Sequence, residues 1–409
     1  MNEASRSRRR NLGIAAGGAA AVIFAVFDLY QWFVAWSSDH FHNDLTFYYV
    51  AAQIGFAHGW SRIYDLDLQQ TYLNALGSGI TVAELARYIS PPPVAWLALP
   101  LTALPFNLAY ACWSGLLIVA LGVTWRFAAP APDAGRLRVL FFAAALGWLP
   151  VVYGLQLGQP GLFVALGVAG SYALLRSGRP LWAGVALGAI VLKPQLAFLV
   201  PLALLAAGRY RAFTGSALAL GALAILSALA LGSSGIATYL DRLGFAASVP
   251  VNRDLTLAYL LGGAARPVQI FTAAWTMLIA NRLRQRGVEW IFACALVGGL
   301  LATPYVHLDD LMMLGLAAWL VLRASPPRWT WLYIVALVIA VEGEPIWGPP
   351  PVLVAEIGAL ALLSVAALKH PDREAEQDHA KREHDPGLER NRQHLVADGQ
   401  PEAVDAGQA

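Results

Sequence analysis

The feature that most constrains this chain is the length of its apolar runs. Residues 12–36 contain one charged side chain, Asp28; residues 212–232 contain none. Runs of about 20 apolar residues match the thickness of a bilayer when wound into a helix. They come as continuous blocks, without the periodic polar face of a soluble helix or strand. Composition agrees: 58% of the residues are hydrophobic and 13% charged, where a soluble domain carries about 25% charged residues. The expected fold is therefore an all-α polytopic membrane protein. The net charge of +2 lacks the basic excess of a nucleic-acid binder. Cys112 and Cys294 both lie in apolar segments, with neither metal-ligand spacing nor a disulfide framework.

The expected spans are 12–36, 101–125, 138–156, 160–176, 181–193, 195–208, 212–232, 267–281, 288–304, 309–323, 329–346 and 350–368. Several are short for a straight crossing, so some are expected to be broken or re-entrant, and the count is set at ten to thirteen. The first span follows Arg8, Arg9 and Arg10 and reads as a retained signal anchor. Alternate connections carry the arginines: 126–138, 176–179, 209–211, 282–286 and 323–328. The positive-inside rule assigns these, and both termini, to the cytoplasm. The other connections are polar without being basic: 37–100, "LGQP" (157–160), "LKPQ" (192–195), 233–266, "TPYVHLDD" (303–310) and "EGEPIWGPP" (342–350). The organisation expected is one membrane domain, 1–368, with 37–100 as a first extracytoplasmic loop bearing surface helices. The charged segment 369–409 is expected to be a disordered cytoplasmic tail.

The first outer loop opens with "HNDLTFYYVAAQIGFAHG" (42–59). Leu45, Tyr48, Ala52 and Gly55 at helical spacing predict an amphipathic helix along the membrane surface. Asp44 stands at its start, where an N-cap and a catalytic carboxylate are both open readings. Asp65 and Asp67 form a D-x-D pair, read as capping carboxylates ahead of a cation site.

Taken in order, several stretches resemble the glycosyltransferase family 87 membrane proteins: the acid and aromatics after span one, "IYD" (63–65), "PPP" (91–93), "LPLTALPF" (99–106), "GLQLGQPGLF" (154–163), "AGVALGAIVLKPQLAFLVPL" (183–202) and "ATPYVHLDDLM" (302–312). The resemblance covers about residues 28–325. It implies a GT-C-like bundle with an external active site and polyprenyl-phosphate mannose as donor. It implies Asp44 as catalytic base, with Lys193 and His307 in the same cavity. Some relatives carry a histidine pair near His307, where this chain has Leu308, Asp309 and Asp310.

The chemistry has its own logic. A lipid-phosphate leaving group needs cations and hydrogen-bond donors, and an acceptor hydroxyl needs a base. Lys193 lies between apolar segments, where a charge costs about 2.5–3.5 kcal/mol on insertion scales, so a partner is expected: the donor phosphate or an internal acid. Arg253 is read as a second phosphate ligand or a surface residue. Tyr48, Gln159 and Gln195 are read as sugar or acceptor ligands, the glutamines alternatively as backbone partners at helix ends. His307 is read as a catalytic group or a cap. Asp28, inside span one, is left between pairing with a cation and having no role. No metal site is assigned, and a divalent cation is left open. No Walker or dinucleotide motif occurs, and no soluble domain is large enough for a nucleotide sugar, an absence that an activated lipid donor explains.

The function expected is inverting sugar transfer at a bacterial inner membrane. Mannose, or a related hexose or pentose, passes from a polyprenyl-phosphate donor to an extracytoplasmic glycan or glycolipid acceptor. The competing readings are a lipid-linked sugar flippase or small-molecule transporter, and a non-catalytic partner in envelope assembly.

Overall fold

The computed structural model describes residues 3–83, 87–130, 135–327 and 329–368. Among them there is no strand. The helices are α1 (Glu3–Ser38), α2 (Asp44–His58), α3 (Leu66–Ala75), α4 (Pro92–Ala98), α5 (Phe106–Ala128), α6 (Gly135–Leu146), α7 (Leu149–Leu157), α8 (Gly161–Arg176) and α9 (Pro180–Ala186). They continue with α10 (Leu199–Ala206), α11 (Tyr210–Ser248), α12 (Leu257–Leu261), α13 (Ala265–Leu283), α14 (Val288–Ala302), α15 (Met312–Arg323), α16 (Trp329–Glu342), α17 (Glu344–Trp347) and α18 (Pro350–Leu368). The chain is an all-α polytopic membrane protein. The expected tail at 369–409 lies outside the described residues.

Among the described residues, four helices are long and apolar enough to cross a membrane: Ala15–Ser38, Phe106–Ala128, Tyr210–Ser248 and Pro350–Leu368. The expected span at 138–156 is a pair, α6 and α7, bent by 57° at Gly147-Trp148; counted as one crossing, it makes five. Other expected spans form shorter apolar helices, such as α8, α14 and α16. At 1.5 Å per residue, a 16-residue helix such as α8 reaches about 24 Å, less than the roughly 30 Å of a hydrocarbon core. Length alone therefore supports four or five of the ten to thirteen expected crossings.

Close packing explains how short helices cohere. A Cβ on Gly184 of α9 would stand 2.0 Å from the Ala212 carbonyl of α11, and one on Gly215 would stand 2.2 Å from the Leu181 carbonyl. Small residues at a helix crossing let backbones meet, and dispersion then holds the pair in lipid. Outer faces remain apolar: Ile23, Phe27 and Phe33 of α1 are all more than half exposed, as lipid-facing side chains should be.

Three local expectations change. The second long outer loop, 233–266, is helical as far as Ser248, because α11 passes through Gly232 (φ 61°, ψ −177°) and resumes. The α2 helix exists, but Leu45–Ala52 are all buried, so it plugs the bundle and does not float on the surface. Its aromatic residues pack inward on Trp113 and Phe106. Asp65 is the N-cap of α3, accepting from the backbone N–H groups of Asp67 and Leu68 and pairing with Arg62. That is the capping reading of the D-x-D pair.

Candidate functional site

The non-basic polar connections meet at one end of the bundle. At the start of α2 the cap is Asn43: its side-chain oxygen accepts from the Thr46 N–H at 3.2 Å, and its amide donates to the His40 carbonyl at 2.8 Å. Asp44 is the first residue inside the helix, partly exposed. Because its neighbour satisfies the helix end, the Asp44 carboxylate is free for other work. Its Oδ2 accepts a hydrogen bond from Gln159 Nε2.

Gln159 reaches Asp44 because of the turn that carries it. Gly158 ends α7 in the left-handed region (φ 68°), and Pro160 opens α8. Glycine suits this position twice: it takes the positive φ without strain, and a Cβ there would stand 3.2 Å from Leu45 of α2. The Gly158 carbonyl accepts from the buried Trp113 indole at 2.8 Å. Tyr48 donates to Gln159 Oε1 at 3.3 Å, so Tyr48, Gln159 and Asp44 form one chain. Tyr48 is 4% exposed. Its hydroxyl therefore lies beside the Gln159 amide, which it can position.

Lys193 follows a 3₁₀ segment (Leu187–Leu192) and is 7% exposed. Its ammonium pairs with Asp309 Oδ2 at 2.6 Å and with Asp310 Oδ1. The internal-acid partner considered for Lys193 is therefore present, as a pair of carboxylates. Asp310 also accepts from the His307 backbone N–H at 3.0 Å, which closes the turn 307–310. Gly154 of α7 makes room for this turn: a Cβ there would stand 3.4 Å from that of Asp309. Asp309 Oδ1 is buried without a hydrogen-bond partner. Asp28, the other acid considered for Lys193, does not reach it; its Oδ2 is likewise unpartnered.

His307 lies against Tyr305, ring centroids 4.7 Å apart, and its Nε2 donates to Asn252 Oδ1 at 2.7 Å. Burial pushes its imidazole below the usual histidine range. A neutral ring with Nε2–H donating leaves Nδ1 as an acceptor. In the loop 250–256 it is Asn252, 1% exposed, that turns inward; Arg253 is exposed and donates to the Ser248 carbonyl at 3.4 Å. Gln195 sits half-buried in the 3₁₀ turn Pro194–Leu196 beside Lys193, with no side-chain hydrogen bond among the described residues.

Electrostatics ties these groups together. Burial, then the negative charge of Asp309, pushes the Asp44 carboxyl up to about 6; Lys193 and the Gln159 hydrogen bond pull the other way. A carboxyl poised there can take a proton near neutral pH. Among the described residues no group of three or more His, Cys, Asp or Glu could hold a metal ion.

Of the expected site residues, the structure brings together Asp44, Gln159, Lys193 and His307, leaves Gln195 at the edge, and turns Tyr48 inward and Arg253 outward. Three partners were not assigned roles from sequence: Asn252, Asp309 and Asp310. The acids were findable, since two carboxylates in an apolar setting need a cation and Lys193 needed an anion.

Residues 88–341 match the family model described as Glycosyltransferase family 87. No curated protein matches the chain, and no solved structure does. The matched segment contains Gln159, Lys193, Arg253, Asn252, His307, Asp309 and Asp310, and begins after Asp44.

Proposed function

Since this chain belongs to glycosyltransferase family 87, we propose that it moves a sugar from a polyprenyl-phosphate carrier to a hydroxyl of an extracytoplasmic glycan or glycolipid. Mannose, or a related hexose or pentose, is the sugar in this reading, and a bacterial inner membrane is the setting. The observation that carries it is the Asp44–Gln159 hydrogen bond. It joins an acid outside the matched segment to the glutamine of "GQP" inside it, so the two halves of the resemblance form one site.

Asp44 acts as the base. The acceptor oxygen attacks the anomeric carbon while its proton passes to the free Oδ1 of Asp44. The bond from that carbon to the phosphate oxygen breaks, and polyprenyl phosphate leaves with the electron pair. Attack opposite the leaving group inverts the configuration. Gln159 aims the carboxylate, and Tyr48 aims Gln159. His307, held by Asn252, offers Nδ1 to an acceptor hydroxyl. Lys193 has three N–H donors and two carboxylate partners, which leaves one donor for the phosphate. Arg253 lies on the same loop as Asn252 and serves the phosphate from outside.

Membranes containing the protein, supplied with labelled polyprenyl-phosphate mannose, should pass label to an acceptor in a linkage of inverted configuration. A product of retained configuration would overturn the single-displacement mechanism. Label taken up from a nucleotide sugar, with none from the lipid donor, would overturn the donor.

A further inference from the structure

The segment that carries His307 carries a second ring. Residues 303–307 leave the helical path after α14, and His307 is extended (φ −107°, ψ 166°). Side chains two apart on an extended chain share a face. Accordingly Val306 is 1% exposed, while Tyr305 and His307, on the other side, are half-buried with ring centroids 4.7 Å apart. Tyr305 therefore turns toward the candidate site with His307.

The backbone around Tyr305 is fixed on both sides. Its carbonyl accepts from the Thr303 hydroxyl at 3.3 Å, and the Thr303 carbonyl accepts from the buried Gln269 amide at 2.8 Å. The Val306 N–H donates to the Asn252 carbonyl at 3.4 Å. A side chain on a segment supported in this way is held in one place. The Tyr305 hydroxyl itself makes no hydrogen bond among the described residues.

Its surroundings are charged. Burial raises this hydroxyl above the usual tyrosine range, so it remains an O–H donor; beyond burial, the charges of Lys193, Asp310, Asp309 and Asp44 act on it, in that order. The hydroxyl thus lies within electrostatic reach of both the ammonium assigned to the donor phosphate and the carboxylate assigned to the acceptor proton. In the displacement described above, the sugar occupies the space between those two groups. A sugar presents hydroxyls and apolar C–H edges, and a tyrosine meets them with a donor and a ring.

We propose that Tyr305 is a sugar-binding residue, its hydroxyl donating to a hydroxyl of the transferred sugar and its ring, propped on His307, bordering that sugar. The assignment rests on the lipid-donor reading. A residue that only packed against His307 would need the ring alone, so the hydroxyl is the group to remove.

The test is titration of the purified full-length protein in detergent with polyprenyl-phosphate mannose and, separately, with polyprenyl phosphate, for wild type and Tyr305→Phe. The variant should bind the mannosyl lipid about fivefold more weakly, the effect of one neutral hydrogen bond, and bind the bare lipid as wild type does. Without ligand it should melt with wild type, because the hydroxyl removed holds nothing in the protein. Unchanged affinity for the mannosyl lipid would reduce Tyr305 to packing on His307. Equal weakening for both lipids would move its contact from the sugar to the phosphate. A lowered melting temperature, or a variant that does not fold, would give the hydroxyl a structural role. Each of these overturns the assignment while leaving the donor reading in place. No binding of the mannosyl lipid to wild type would overturn the donor reading itself, and Tyr305 with it.

Discussion

At the residue scale the argument turns on Asp44. The sequence left it open between cap and base; Asn43 takes the cap, and the carboxylate is held by Gln159. As general base, Asp44 should supply about 10²–10⁴-fold in rate. Asp44→Asn should therefore lose at least about two orders of magnitude of transfer at unchanged protein level. Transfer by wild type should rise with pH and level off above about 6, the value to which this carboxyl is pushed. Gln159→Ala removes a hydrogen bond that holds that value down, so the rise should move to higher pH as the rate falls; an unmoved profile would detach Gln159 from Asp44. The sign for stability is the reverse. A carboxyl raised from 3.8 to about 6 on folding binds more protons in the native state between those values. Its stabilisation is present below about pH 4 and lost as pH rises through about 6. Asp44→Asn should thus melt no lower than wild type at pH 7, and a large drop in melting temperature would make Asp44 a structural residue. Asp44 and His307 were legible because acids and histidines beside apolar spans are rare. Asn252 was not, because an asparagine in a polar loop has no signature until the fold buries it.

At the element scale the turn between α7 and α8 decides the geometry. Gly158→Ala would force a non-glycine residue to φ 68°, at about 1–2 kcal/mol, and bring a methyl against Leu45 at 3.2 Å. The variant should lose stability measurably in thermal unfolding and lose transfer further, because the same shift moves Gln159 off Asp44. Full activity would show that the turn does not set the site. Most helices were legible from the apolar blocks, and the "GQP" and "KPQ" breaks fell where the sequence placed them. Two features were not. Gly232 looked like the end of a span, yet one non-helical residue let α11 resume. The α2 helix looked amphipathic by spacing, but Leu45–Ala52 are buried on every side, and a one-dimensional pattern does not register what packs around it.

At the scale of the whole molecule, segments far apart in sequence meet through buried charge. Lys193, from the 3₁₀ stretch after α9, is clasped by Asp309 and Asp310 before α15, and Asp309 in turn raises the proton affinity of Asp44 at the start of α2. Removing one partner of a buried pair costs about 3–5 kcal/mol, because the other charge is left uncompensated. Lys193→Met should therefore destabilise the protein by about that amount, read as a lowered melting temperature in detergent. Adding Asp309→Asn and Asp310→Asn should recover part of the loss. A Lys193→Met protein of wild-type stability would mean that the three charges do not lock these segments. The polar asymmetry of the connections made the gathering of these groups legible in the sequence; which group pairs with which was fixed only by the packing of α7 on the turn 307–310.

The measurement that tests the central claim most directly is sugar transfer from labelled polyprenyl-phosphate mannose in membranes holding equal amounts of wild type or Asp44→Asn. The account predicts label in an acceptor with wild type and its near absence with the variant. Equal transfer by both proteins would contradict it, reducing Asp44 to a structural acid.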